Sequence, residues 1–123
     1  MTQESPIGWT VQFKAKPGQA NAFRKILAEA VPAIDKAEPW HPVFQWFASE
    51  DGQTFHAHVW CGGQAKAVEH ITGIGPQKYL PRLLEISTIE RFEVFGTPDE
   101  KLAEILKAFP VTGRNQHVAG WTR

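Results

Sequence analysis

Residues 54–61, TFHAHVWC, place His56, His58 and Trp60 on every second position, with the only cysteine of the chain, Cys61, directly after them. If the stretch is a strand, alternate side chains share a face, and each residue advances the chain by about 3.3 Å, so the two imidazoles stand about 7 Å apart. Such a pair can contact a substrate, exchange protons near neutrality, or supply two ligands to a metal. A catalytic metal centre normally takes three protein ligands, and this strand face offers no third, so no metal is expected. The remaining candidates are His70, in AVEHIT, as a general base, and Arg91 with Glu93, two apart in TIERFEVF, to hold a substrate anion or form a salt bridge on a polar sheet face. Cys61 carries no accompanying nucleophile motif and reads as a small buried hydrophobe. Trp9, Trp46 and Trp60 are candidates to line an aromatic pocket. GGQ and GIGP match neither phosphate-binding glycine pattern.

These residues must be positioned by elements legible in the hydrophobic pattern. Residues 8–15, GWTVQFKA, alternate as a half-buried strand, and Pro17-Gly18 ends it. Phe23, Ile26, Leu27, Ala30 and Ile34 then form one apolar helical stripe, interrupted by Pro32 and closed at Glu38-Pro39. VFQWFA (43–48) and TFHAHVWC flank an Asp51-Gly52 turn as a hairpin. QAKAVEHIT (64–72) and the region of QKYLPRLLEI read as two helical pieces. TIERFEVF (88–95) is a fourth strand, with Phe92 and Val94 opposing Ile89, Arg91, Glu93 and Phe95. Thr97-Pro98-Asp99-Glu100 reads as a helix start capped by Thr97, followed by the stripe Leu102, Ile105, Leu106, Phe109. The tail is irregular, with Val118 and Trp121 as anchors.

The order β-α-β-β-α-β is the ferredoxin-like, α+β arrangement, a four-stranded antiparallel sheet with helices on one face and an extra C-terminal helix. One domain spans 1–123, with an N-terminal arm at 1–7 and the C-terminal helix and tail at 97–123. The second sheet face carries Gln12, His56, His58, Arg91 and Glu93, but also Trp60 and Phe95. Packing of two such faces in a twofold homodimer would cover it.

Composition narrows the partners. Thirteen basic residues balance thirteen acidic ones, which argues against nucleic acid, whose phosphates call for a basic surface, and against an anionic membrane. No apolar run approaches the length of a membrane span. The N-terminus has no basic region leading into an apolar run, so no signal peptide is expected, and a cytoplasmic location is. Five tryptophans and eight phenylalanines supply core, interface and pocket alike.

The chain resembles the dimeric α+β barrel superfamily, and within it the longer members of the antibiotic biosynthesis monooxygenase family. The resemblance spans about residues 8–123 and rests on Lys16-Pro17-Gly18, Glu38-Pro39, the spacing from the third strand to His70, the run Arg91-Phe92-Glu93-Val94-Phe95-Gly96-Thr97-Pro98, and the closing Gly120-Trp121-Thr122-Arg123. It implies a homodimer and a cofactor-independent, monooxygenase-like enzyme oxidising a small electron-rich aromatic or quinol. In that reading His58 or His70 is the base, Arg91 stabilises the anion, and Trp46, His56 and Trp60 contact the substrate. The family's third strand usually closes on a Glu, one residue and an aromatic, with a His nine residues later. Counting back from His70 puts Val59 and Cys61 at those two places. The alternative reading is therefore a catalytically silent dimeric protein that binds a small aromatic ligand.

Overall fold

The computed structural model describes residues 6–122. Strand β1 (Ile7–Ala15) is followed by helix α1 (Ala20–Ala37), the hairpin β2 (Val43–Ala48) and β3 (Thr54–Cys61), helix α2 (Gln64–Ile71), and a π-helical turn (Gly75–Tyr79) that runs into α3 (Leu80–Ile86). β4 (Ser87–Phe95), α4 (Glu100–Leu106) and a short β5 (Gly113–Asn115) complete the chain. The sheet order is β2-β3-β1-β4-β5, antiparallel except for β5, which pairs parallel to β4. The ferredoxin-like α+β fold expected from the pattern is present, with the fifth strand added by a tail that had read as irregular. Among the described residues no helix is long and apolar enough to cross a membrane.

The alternation of β1 sets the two faces. Ile7, Trp9, Val11, Phe13 and Ala15 are buried on one side, joined by Phe55, Ala57, Val59 and Cys61 from β3 and by Phe92 and Val94 from β4. Helix α1 docks on this inner face through Phe23, whose ring stacks on Phe55 with centroids 4.2 Å apart and meets Phe13 at 5.6 Å. Each such fully buried aromatic contributes on the order of 1.5–3 kcal/mol. Leu102 and Leu106 of α4 are fully buried in the same core.

Four local expectations are corrected. β1 begins at Ile7, which is fully buried rather than part of an arm; residues 1–5 of that arm lie outside the described residues. A register shift between Gln12 and Phe13 puts Ile89 opposite Phe13, on the inner face with Phe92 rather than with Arg91; the extra residue of a bulge reverses the alternation. Asp99, not Thr97, caps α4, its Oδ1 accepting the Leu102 N–H at 2.9 Å. Val118 is 93 % exposed and does not anchor the tail, whereas Trp121 is 77 % exposed and lies outside the core.

Candidate functional site

The sheet separates the residues that sequence reasoning had grouped. Gln45 pairs with His58, Phe47 with His56, and Trp46 with Ala57, so Trp46 faces inward while His56, His58 and Trp60 face outward. Arg91 pairs with Gln12 on the same outer face. There His58 meets the Phe47 ring edge-on at 5.1 Å, and Trp60 meets Phe95 at 5.9 Å. Arg91 lies 3.8 Å from Glu93, and Glu93 is itself bound to the tail, accepting from the Thr112 hydroxyl at 3.0 Å. Glu93 thus helps to dock β5 and the residue before it, while the Arg91 side chain is largely exposed. Of the candidates for catalysis and substrate contact, His70, Trp9 and Trp46 share a side of the sheet with the helices.

On that inner side is a cavity of about 80 Å³. Its walls are apolar and aromatic, with Trp9, Phe44, Trp46, Val59, Tyr79 and Phe92 among them. Among the described residues His70 is the one imidazole in its lining. A cavity that holds benzene measures about 150 Å³, so a ring-sized ligand must part the walls. Phe44 and Trp46 come from β2, an edge strand paired on one side only.

His70 is held by a carboxylate. Its Nδ1 stands 2.6 Å from Oε1 of Glu38, and both side chains are almost wholly buried. With the carboxylate ionised, Nδ1–H is the donor, and Nε2 is left as the ring nitrogen available for chemistry. The ring is caged by Trp9 (5.9 Å), Phe44 (5.5 Å) and His41 (4.6 Å).

The local sequence explains the arrangement. Pro39 bars continuation of α1 and drives Glu38 out of helical conformation. A turn then closes, the His41 N–H donating to the Glu38 carbonyl at 3.0 Å, so Glu38 and His41 return to one place. Gly73 leaves room for the carboxylate, since a Cβ there would lie 3.1 Å from Glu38 Oε2. Burial, reinforced by His70 and opposed by Glu38, lowers the His41 pKa to about 4. Its Nδ1 is buried without a partner, and its Nε2 lies 4.0 Å from Cys61 Sγ. Burial, with Glu38 adding to it, pushes the Cys61 thiol up to about 12, as expected for an unreactive thiol.

Glu38, His41 and His70 each offer one ligand atom within 4.8 Å of the others, the one such grouping among the described residues. Sequence reasoning used Glu38 as a helix terminator and, with Pro39, as a point of family resemblance, and did not consider His41. The available signal was Glu-Pro-Trp-His itself, two groups able to do chemistry on either side of a Pro-driven turn.

No sequence-family profile matches the chain, and no curated protein sequence does. Solved structures do. MupZ from Pseudomonas fluorescens superposes with a TM-score of 0.75 at 16 % identity, covering 98 % of this chain and 96 % of that one. SnoaB, a cofactor-independent oxygenase from Streptomyces nogalater, matches with a TM-score of 0.61 at 15 % identity over 75 % of this chain and 92 % of that one. An antibiotic biosynthesis monooxygenase matches at 0.60 and 15 %, over 72 % and 92 %. At these identities the likeness is one of fold: the chain has the fold of solved structures that include antibiotic biosynthesis monooxygenases.

Proposed function

We propose that this chain is a cofactor-independent, monooxygenase-like enzyme that oxidises a small electron-rich aromatic or quinol substrate in the inner cavity. The observation that carries this reading is the buried Glu38–His70 pair at the wall of an otherwise apolar, aromatic cavity. His70 Nε2 removes a proton from the substrate, and Glu38 fixes the ring's tautomer and stabilises the imidazolium. The resulting carbanion or phenolate reduces O₂, which adds to the same carbon. Loss of water then converts a CH₂ to a carbonyl, so the substrate supplies all the electrons and O₂ supplies both oxygen atoms of products. Trp46 is a wall of the pocket. The fold shared with a cofactor-independent oxygenase supports the reaction class.

In this reading the outward residues His56, His58, Trp60 and Arg91 lie where a second copy of the chain packs, sheet on sheet. Val43 and Phe47, both exposed on that face at the edge strand, support such a contact.

Val59 favours the alternative, a silent ligand-binding protein. It lines the cavity at the position where the resembled family carries a Glu. Oxygen uptake with a panel of hydroquinones and reduced polycyclic phenols, with chelator and no added cofactor, separates the two. Turnover that falls at least about 100-fold in His70→Ala, with binding retained, is the expected result. Binding without any oxygen uptake by the wild-type chain would leave only the silent reading.

A further inference from the structure

We infer that Glu38, His41 and His70 form a binding site for a divalent transition-metal ion, with Zn²⁺ the best match to their donor atoms. The inference goes beyond the proposed reaction and needs no catalysis to hold.

Two imidazoles and one carboxylate are a set of three protein ligands that leaves one position open for water. Nitrogen donors select zinc-like ions over Mg²⁺ and Ca²⁺, which prefer oxygen. The three come from separate elements that the fold brings together: the residue that ends α1, the turn after it, and the last turn of α2. Their ligand atoms lie within 4.8 Å of one another. Bonds of about 2.0–2.1 Å in a tetrahedron put ligand atoms roughly 3.3–3.5 Å apart, so the set must contract by a modest side-chain swing. His41, partly exposed on its turn, is the least buried of the three.

A second observation points to a ligand independently of the spacing. His41 Nδ1 is buried with no hydrogen-bond partner, a condition that ordinarily costs about 1–3 kcal/mol. An ion bound there would satisfy it. The other ring nitrogen of His41 faces Cys61 Sγ at 4.0 Å, a weak outer contact that holds the ring's orientation, as partners of metal-bound histidines do.

The local field has the sign for a cation. Glu38 caps the C-terminal end of the eighteen-residue α1, and His70 lies in the last turn of α2. Both helices therefore direct the negative ends of their dipoles at the three groups, beside a buried carboxylate. An ion here takes the place of the proton shared by His70 and Glu38. With Nδ1 bound to the ion the imidazole proton sits on Nε2, which excludes the base role proposed for His70.

The experiment is Zn²⁺ titration of the full-length, chelator-stripped chain in competition with a chromogenic chelator, followed by a Co²⁺ absorption spectrum. The expected result is one ion per chain, weakened at least about tenfold by His41→Gln and by Glu38→Gln, and unchanged in the His56→Ala/His58→Ala double variant. Co²⁺ should give a tetrahedral spectrum without a thiolate charge-transfer band. Circular dichroism checks the fold of each variant. Should the substituted chains not fold, the wild-type stoichiometry and Co²⁺ spectrum decide alone. The inference is overturned if the wild-type chain shows no saturable binding at micromolar free Zn²⁺, or if binding survives His41→Gln and is lost with His56 and His58. Neither result touches the oxygen-uptake test, which is run with chelator present.

Discussion

His70 Nδ1 and Glu38 Oε1 stand 2.6 Å apart although the two residues are separated by 32 positions in the chain. Both side chains are buried, at 5 % and 4 % exposure, so removing one partner strands the other in a medium that solvates it poorly. The two removals are not equivalent. His70→Ala leaves a buried carboxylate without its donor, which costs about 3–5 kcal/mol if that carboxylate is ionised. Glu38→Gln keeps an acceptor oxygen beside the ring and should cost about 1–3 kcal/mol. Urea unfolding of the two variants checks the order. A larger loss for Glu38→Gln would contradict this order, and with it the proposed role of Glu38 as the support of the His70 ring would fail.

That pair also marks the limit of what the sequence discloses. The hairpin bounds 43–48 and 54–61 are readable because strand alternation and the Asp51-Gly52 turn are local signals. Alternation alone also puts His56, His58 and Trp60 on one face. Which face meets the helices depends on register, and the pairing Trp46↔Ala57 shows that Trp46 and Trp60 point to opposite sides. A single bulge at Gln12/Phe13 moves Ile89 inward, and no residue type announces it. Glu38 and His41 come together through a turn that can be inferred, but their meeting with His70 depends on how α1 and α2 pack on the sheet. Chemistry-bearing residues on a strand are conspicuous, whereas the site is built from helix ends.

His41 makes acid stability measurable. In the unfolded chain it takes up a proton near 6.5, and in the folded chain only near 4. Between these values the unfolded state binds more protons, so stability falls as pH drops through that window and is indifferent to this group above it. Because the residue is partly exposed, the loss is discounted to roughly 1–2 kcal/mol. Chelator-treated wild-type protein should lose that much more unfolding free energy between pH 7 and pH 4.5 than His41→Gln does. Equal slopes in the two proteins would show that the ring is solvated when protonated.

Cys61 should be inert in the native state. With its thiol pushed up to about 12 by burial and by Glu38, almost none is thiolate at pH 8, and the thiolate is the reactive form. A small neutral maleimide should therefore label it only through unfolding, with a rate that climbs with denaturant. Labelling of the native chain as fast as that of free cysteine would contradict the burial of Cys61 against His41.

Trp60 offers a test of the outer face. Its ring lies over Gly8 of β1, where any Cβ would collide with it, and reaches Phe95 on β4. The glycine thus lets an indole lie flat across three strands, giving a broad apolar surface beside His58 and Phe47. If a second copy packs on this surface, Trp60 is placed as a central anchor, and truncating such an anchor costs about 2 kcal/mol or more of association energy. Trp60→Ala should then weaken the dimer about 30-fold, seen in sedimentation equilibrium, with the far-ultraviolet circular dichroism unchanged. A wild-type chain that sediments as a monomer at micromolar concentration would remove the sheet-to-sheet dimer, and the indole would have to be explained as a cover for Gly8 and Phe95 alone.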